Sequence, residues 1–191
     1  LQQLCATPPA IAGVASGPHS RPDSVFAPQR VLGDGEQIEL TGDTHTHRMQ
    51  VVYTPGHTAN HICLWLEEDG LLFAGDHILN GSTTIISPPD GHSGDYLHSL
   101  DKLSALCSAS DSFILPAHGY VLDQAAAQIA ALTAHRLRRE AKVAAAMAHS
   151  PQGNEDDWVA MAYDDTPTAL WPLAKHSMRA HIEHLRDASD G

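Results

Sequence analysis

The sequence predicts a mixed α/β (α+β) fold, and three observations predict it. Short apolar runs end repeatedly in turns that present a polar residue: Tyr53 leads into Thr54-Pro55-Gly56-His57, Leu71 to Ala74 into Gly75-Asp76, and Ser112 to Leu115 into Pro116-Ala117-His118-Gly119. Between the last two lies a stretch with helical spacing, Leu97, Leu100, Leu103 and Leu106. From Asp123 to His149 runs a long Ala-rich segment of good helix formers, closed by Ser150-Pro151-Gln152-Gly153.

Taken in order, Leu1 to Cys5 reads as the end of a helix that Thr7-Pro8-Pro9 breaks before a short apolar segment at 10–14. A Gly-, Ser-, Pro- and His-rich loop covers 15–28, and two short strands flank the turn Gly33-Asp34-Gly35 between Arg30 and Leu40. Met49 to Tyr53 alternates as a strand. His61 to Glu67 and Gly70 to Ala74 form a hairpin whose apolar density predicts burial on both faces. The Gly-, Ser-, Pro- and Asp-rich connection from Ile78 to Asp95 is too long for a plain turn and reads as an active-site loop. A helix is expected over Asp95 to Cys107. Three shorter helical patterns close the chain at Glu155 to Tyr163, Thr168 to Leu173 and Ala174 to Asp187, forming a small helical module. The expected organisation is one domain over 1–125, a linking helix over 126–150 and a C-terminal module over 151–191.

Composition narrows the function. With 42% hydrophobic residues among 191, the chain can bury a core. Its net charge of −12, with only 11 Lys and Arg, argues against broad phosphate-backbone binding. Cys5, Cys63 and Cys107 follow no Cys-x-x-Cys spacing, so a disulfide scaffold is not expected and a reducing, cytoplasmic setting fits. No apolar run reaches the length of a transmembrane helix, so no membrane partner is expected.

His57, Asp76 and His118, each at the end of a strand, are residue types that begin a metal site. Around them, Asn60 and His61 read as hydrogen-bonding the turn behind His57, Thr58 follows His57 directly, and His77 and His92 divide between a surface role and approach to substrate. Thr44-His45-Thr46-His47 reads as a solvated loop. His135, His149, His176, His181 and His184 read as helix-face residues, and Cys63 as a buried inert thiol.

With these pieces placed, the chain resembles the metallo-β-lactamase superfamily of metal-dependent hydrolases. Thr54-Pro55-Gly56-His57-Thr58 stands as its third motif, Gly75-Asp76 as its fourth and Pro116-Ala117-His118-Gly119 as its fifth, in the family's order. Tyr96-Leu97-His98-Ser99-Leu100, the helix holding His135-Arg136 and Arg139-Glu140, and the C-terminal module look like the β-lactamase-like branch with a winged-helix appendage. The resemblance implies an αββα sandwich with metals at the rim between two sheets. It implies that His57 completes one metal site, His118 another, and Asp76 bridges the two cations as ligand and catalytic carboxylate. Zinc is the implied cation, two ions in the complete protein, with iron or manganese as alternatives.

The family's upstream His-x-His-x-Asp-His motif is absent here; Thr44-His45-Thr46-His47 continues as Arg48-Met49. Leu1 is therefore expected to fall on the helix after that motif, and this chain alone to hold metal weakly and turn over little. The resemblance implies hydrolysis of a small ester, thioester or lactone. Two alternatives stand: a single-strand-directed ribonuclease, disfavoured because Lys175, Arg179 and Arg186 face many tail carboxylates, and a catalytically inactive fragment or homologue, whose tail serves packing or a homodimer.

Overall fold

The computed structural model describes residues 9–42, 44–108 and 111–190. The helix end predicted at Leu1 to Cys5, the break at Thr7-Pro8, and Cys5 itself lie outside the described residues.

Two short strands, β1 (Ala12–Gly13) and β2 (Arg30–Val31), pair in parallel. The main sheet follows: β3 (Gln37–Thr41), β4 (Thr46–Tyr53), β5 (Ile62–Leu66), β6 (Leu71–Gly75) and β7 (Phe113–Pro116), adjacent in that order. The first four are antiparallel neighbours, with the loop 54–61 that carries His57 between β4 and β5, and β7 lies parallel to β6. A parallel pair needs a crossover, and helix α1 (Ser93–Cys107) supplies it. Helix α2 (Ala125–His149) follows β7. The tail holds α3 (Glu155–Ala162), a single 3-10 turn at Thr168–Leu170 and α4 (Trp171–Asp190).

Alternation sends Val52, Cys63, Trp65, Leu72, Ala74 and Ile114 to one face of the sheet, where they pack with Leu100 and Leu103 of α1 and Ile129 of α2. Burying each of the larger aliphatic side chains is worth about 1.5–3 kcal/mol, which is what fastens the helical layer to the sheet. The other face is different. Phe73 and Phe113 remain exposed there while Val51 and Leu66 on the same face are buried, so the β5–β6 hairpin is buried fully on one face and partly on the other. A second cluster joins Val143 and Ala146 of α2, Val159 and Ala162 of α3, and Met178 and Ile182 of α4, while Ala180 of α4 belongs to the first cluster.

Several boundaries move. Strand β4 begins at Thr46, so Thr46 and His47 are exposed strand residues paired with Thr41 and Leu40, where the sequence reads a loop. Helix α1 starts at Ser93 rather than Asp95, because the His92 ring accepts the Asp95 backbone N–H and caps it. The tail's last two patterns merge into the continuous α4: Pro172 sits in its first turn, where a missing N–H leaves no intrahelical bond unmade. Among the described residues, no helix is long and apolar enough to cross a membrane.

Candidate metal centre

The turn that carries His57 is clamped by α1. Gly56 has φ 134°, and a Cβ there would stand 2.4 Å from the Tyr96 Cα, so helix and turn touch backbone to backbone. The His92 N–H donates to the Gly56 carbonyl at 2.9 Å and Ser99 Oγ to the Pro55 carbonyl at 2.8 Å. Held this way, His57 donates Nδ1–H to the Ile85 carbonyl at 2.7 Å. That bond fixes the tautomer and leaves the Nε2 lone pair unengaged, the arrangement a metal-ligating imidazole uses.

Asp76 follows Gly75, whose φ of 53° turns the chain out of β6. Asp76 Oδ1 is enclosed and without a hydrogen-bond partner, and it stands 3.4 Å from His118 Nε2. His118 reaches this position because β7 runs parallel to β6: the Ala117 N–H donates to the Gly75 carbonyl at 2.9 Å and places the 117–119 turn beside Asp76. The His118 side chain is 73% exposed.

The donor chemistry at these positions fits a divalent cation in two respects. An enclosed carboxylate oxygen lacks a partner, and the His57 ring is locked with one nitrogen free. The set is not closed. Among the described residues, no three His, Cys, Asp or Glu side chains are arranged to hold an ion together. The structure brings Asp76 and His118 into contact and turns His57 onto Ile85.

Behind the Asp76 turn lies a buried polar scaffold that sequence reading missed. Thr84 Oγ donates to the Asp76 carbonyl at 2.7 Å and lies 3.1 Å from the His77 carbonyl, which also accepts Tyr96 Oη–H at 2.6 Å. Arg136 of α2 donates to the Thr84 carbonyl, and its guanidinium lies 4.8 Å from the Tyr96 ring centroid. One signal was available: Arg136 falls on the stripe of α2 that buries Ile129 and Val143, where a charge needs partners. Burial holds His61 down to about 4, with the nearby His57 adding to the effect and Asp76 opposing it. Its Nδ1 lies 2.9 Å from Thr54 Oγ. Asn60 donates instead to the Val14 carbonyl at 2.9 Å, tying the early loop to the His57 turn.

Two predicted roles change. His77 is fully buried between His61 and Tyr96, neither at the surface nor near substrate, because it tucks beneath the turn that exposes Asp76. Burial lowers its basicity, and it stays neutral. His92, which the sequence leaves between the surface and substrate, is a partly exposed helix cap: Nδ1 serves Asp95 and Nε2 lies 3.3 Å from Asp187 of α4. Thr58 lines a cleft beside His57. Cys63 is buried, with its thiol pushed up to about 12 by burial, and is therefore inert.

Away from this centre, His181 and His184 both donate Nδ1–H to one oxygen of Glu140, at 3.1 and 2.9 Å, joining α4 to α2. Burial pushes His181 below its ordinary value, with Glu140 opposing and Arg136 adding. Glu140 is held below the usual range: burial opposes its ionisation most, and the two histidine hydrogen bonds outweigh it. The unfolded chain thus binds more protons than the folded one in acid. His181 stabilises fully above about pH 6.5, and its contribution is lost as pH falls from there toward its lower folded value. The Glu140 contribution is lost further down, as pH falls from about 4.5 through its folded value. Urea unfolding at pH 7.5 and 5.5 checks this: stability is expected to drop in acid, and His181→Leu to be weaker at pH 7.5 with a smaller drop. An equal drop in both proteins would refute the assignment.

The strand order and the turns that carry His57, Asp76 and His118 can now be set beside known proteins. The chain belongs to the metallo-beta-lactamase superfamily, whose model matches residues 6–118, and the beta-lactamase associated winged helix domain matches residues 155–188. Among curated relatives, it is 32% identical over 154 residues to a Beta-lactamase-like protein 2 homolog of Caenorhabditis elegans, covering 81% of this chain and 48% of that protein. An Atrochrysone carboxyl ACP thioesterase of Aspergillus chevalieri is 32% identical over 126 residues, covering 66% of this chain and 37% of the relative. A metallo-beta-lactamase family protein from Thermus thermophilus superposes with a TM-score of 0.66 at 27% identity, over 86% of this chain and 52% of that one. The chain thus spans about half the length of the first relatives it matches.

Proposed function

We propose that the protein is a metal-dependent hydrolase of a small ester, thioester or lactone. The observation that carries this is the enclosed, unpartnered Asp76 Oδ1 facing His118 Nε2, together with a His57 ring whose Nδ1 is committed to Ile85. His57 through Nε2, Asp76 and His118 would hold the cations, zinc by preference and iron or manganese as alternatives, two ions in the complete protein. A bound divalent cation would supply the Lewis acidity that activates water and polarises a carbonyl. The chain's own residues do the rest. Ile85 orients His57, and the Thr84, Tyr96 and Arg136 bonds hold the Asp76 backbone in place. Ile85, Pro88 and Leu173 give the neighbouring cleft an apolar wall for an acyl group.

Relatives named as thioesterases support the thioester member of this class. A nuclease reading has less support. Lys175 and Arg179 of α4 are ion-paired with Asp156 and Glu155, which leaves little positive charge on the tail for phosphates. The test is a panel of thioester, ester, lactone and oligonucleotide substrates with the complete, metal-loaded gene product. A small acyl substrate is expected to be cleaved with at least a hundredfold higher kcat/KM than any oligonucleotide; comparable rates would end the small-substrate reading.

A further inference from the structure

His57 opens onto a cleft of about 470 Å³ built from three stretches far apart in the chain. The loop after β1 brings His19 and Arg21, the connection after β6 brings Ser87 and Asp90, and the first turns of α4 bring Leu173 and His176. The walls are tied together. Ser20 Oγ and the Ala59 N–H each lie 3.4 Å from Asp90 Oδ1, His176 Nδ1 lies 2.9 Å from Ser87 Oγ, and the Ile86 N–H donates to Ser177 Oγ at 3.4 Å. With Nδ1 engaged by Ser87, His176 Nε2 is the atom left for a ligand.

The lining is rich in hydrogen-bond donors. Besides His57, this cleft is lined by Arg21 and by the imidazoles of His19 and His176. Its one lining carboxylate, Asp90, has Oδ1 directed at Ser20 and Ala59. Arg21 is paired with Asp23 only at 4.0 Å, with side chains 80% and 81% exposed, so solvent screens that pair and the guanidinium fork stays available.

We propose that this cleft is a subsite for an anionic group, phosphate or carboxylate, carried at the far end of a small acyl substrate, with Arg21, His19 and His176 as its recognition residues. The scissile bond then lies at His57, as in the reaction above on which this placement rests, and the apolar Leu173 and Pro88 flank the stem between them. The C-terminal helix thereby becomes a specificity element of the site and not only a packing partner of α2.

Three non-hydrolysable thioethers test this, alike in the acyl part and ending in phosphate, carboxylate or hydroxyl, titrated calorimetrically into the complete, metal-loaded gene product. The phosphate or the carboxylate end is expected to bind at least tenfold tighter than the hydroxyl end, and the larger ratio names the anion. Arg21→Gln and His176→Gln should each cut that ratio severalfold, and Arg21→Glu should bring it to one or below; melting curves confirm that the variants fold. With the matching cleavable thioesters, the preference should appear in KM and not in kcat. Equal affinities for all three ends, or a ratio unmoved in the variants, overturns the proposal. If no thioester is cleaved while the binding ratio and its loss in the variants persist, the subsite stands and the hydrolase reading falls. Displacement of the phosphate-ended thioether by an oligonucleotide at lower concentration than the thioether's own Kd would make nucleic acid the occupant and also overturn it.

Discussion

In the complete, metal-loaded gene product, Asp76→Asn is expected to lower metal affinity by more than about 100-fold, since loss of a group that merely orients a ligand already costs 10–100-fold. Hydrolysis should fall with it. The substitution keeps the shape of the side chain but removes its charge, and the enclosed Oδ1 then faces His118 as a neutral amide group. The fold should survive, because the Asp76 backbone is held by Thr84 and not by its own carboxylate. Metal analysis after dialysis and melting curves with and without chelator separate these effects. Wild type should lose stability when chelated, as any ligand that binds only the folded state implies, while Asp76→Asn should melt alike in both conditions. A variant that keeps its metal and its rate would remove Asp76 from the centre.

Gly56→Ala is expected to be the most destabilising small substitution in the site. A methyl group there would lie 2.4 Å from the Tyr96 Cα and 2.5 Å from its N, backbone atoms that can move only if α1 moves, and φ at this position is 134°. Overpacking and positive-φ strain together cost on the order of 4 kcal/mol. Gly81→Ala is the internal control: its φ of 79° is similarly unfavourable to a side chain, but nothing lies within 4 Å, so only the strain of about 1 kcal/mol remains. Urea denaturation of both variants measures the difference. If Gly56→Ala costs no more than Gly81→Ala, the close approach of α1 to the His57 turn is not what holds the turn.

Much of the turn layout around His57, Asp76 and His118 was legible before any coordinates, because turns announce themselves locally. Pro55-Gly56, Gly75 and Gly119 mark sharp changes of chain direction, and the apolar runs before them mark strands. The capping role of His92 went unread for a local reason too: its ring could cap α1 only once that helix began two residues earlier than periodicity indicated. His77 failed for a distant one, since nothing near it in sequence shows that Tyr96 and His61 close over it. The same holds for Arg136 and Glu140, whose partners at Thr84, His181 and His184 are more than forty residues away.

The sequence by itself determined the element types, the three strand-end residues His57, Asp76 and His118, and the family, because hydrophobic period and turn chemistry act over a few neighbouring residues. Only the tertiary structure decided that β7 lies parallel to β6 and so sets His118 against Asp76, and that α4 continues unbroken beside the cleft at His57. Those facts depend on which apolar faces meet across the fold, and chain-distant burial leaves no mark in a local window.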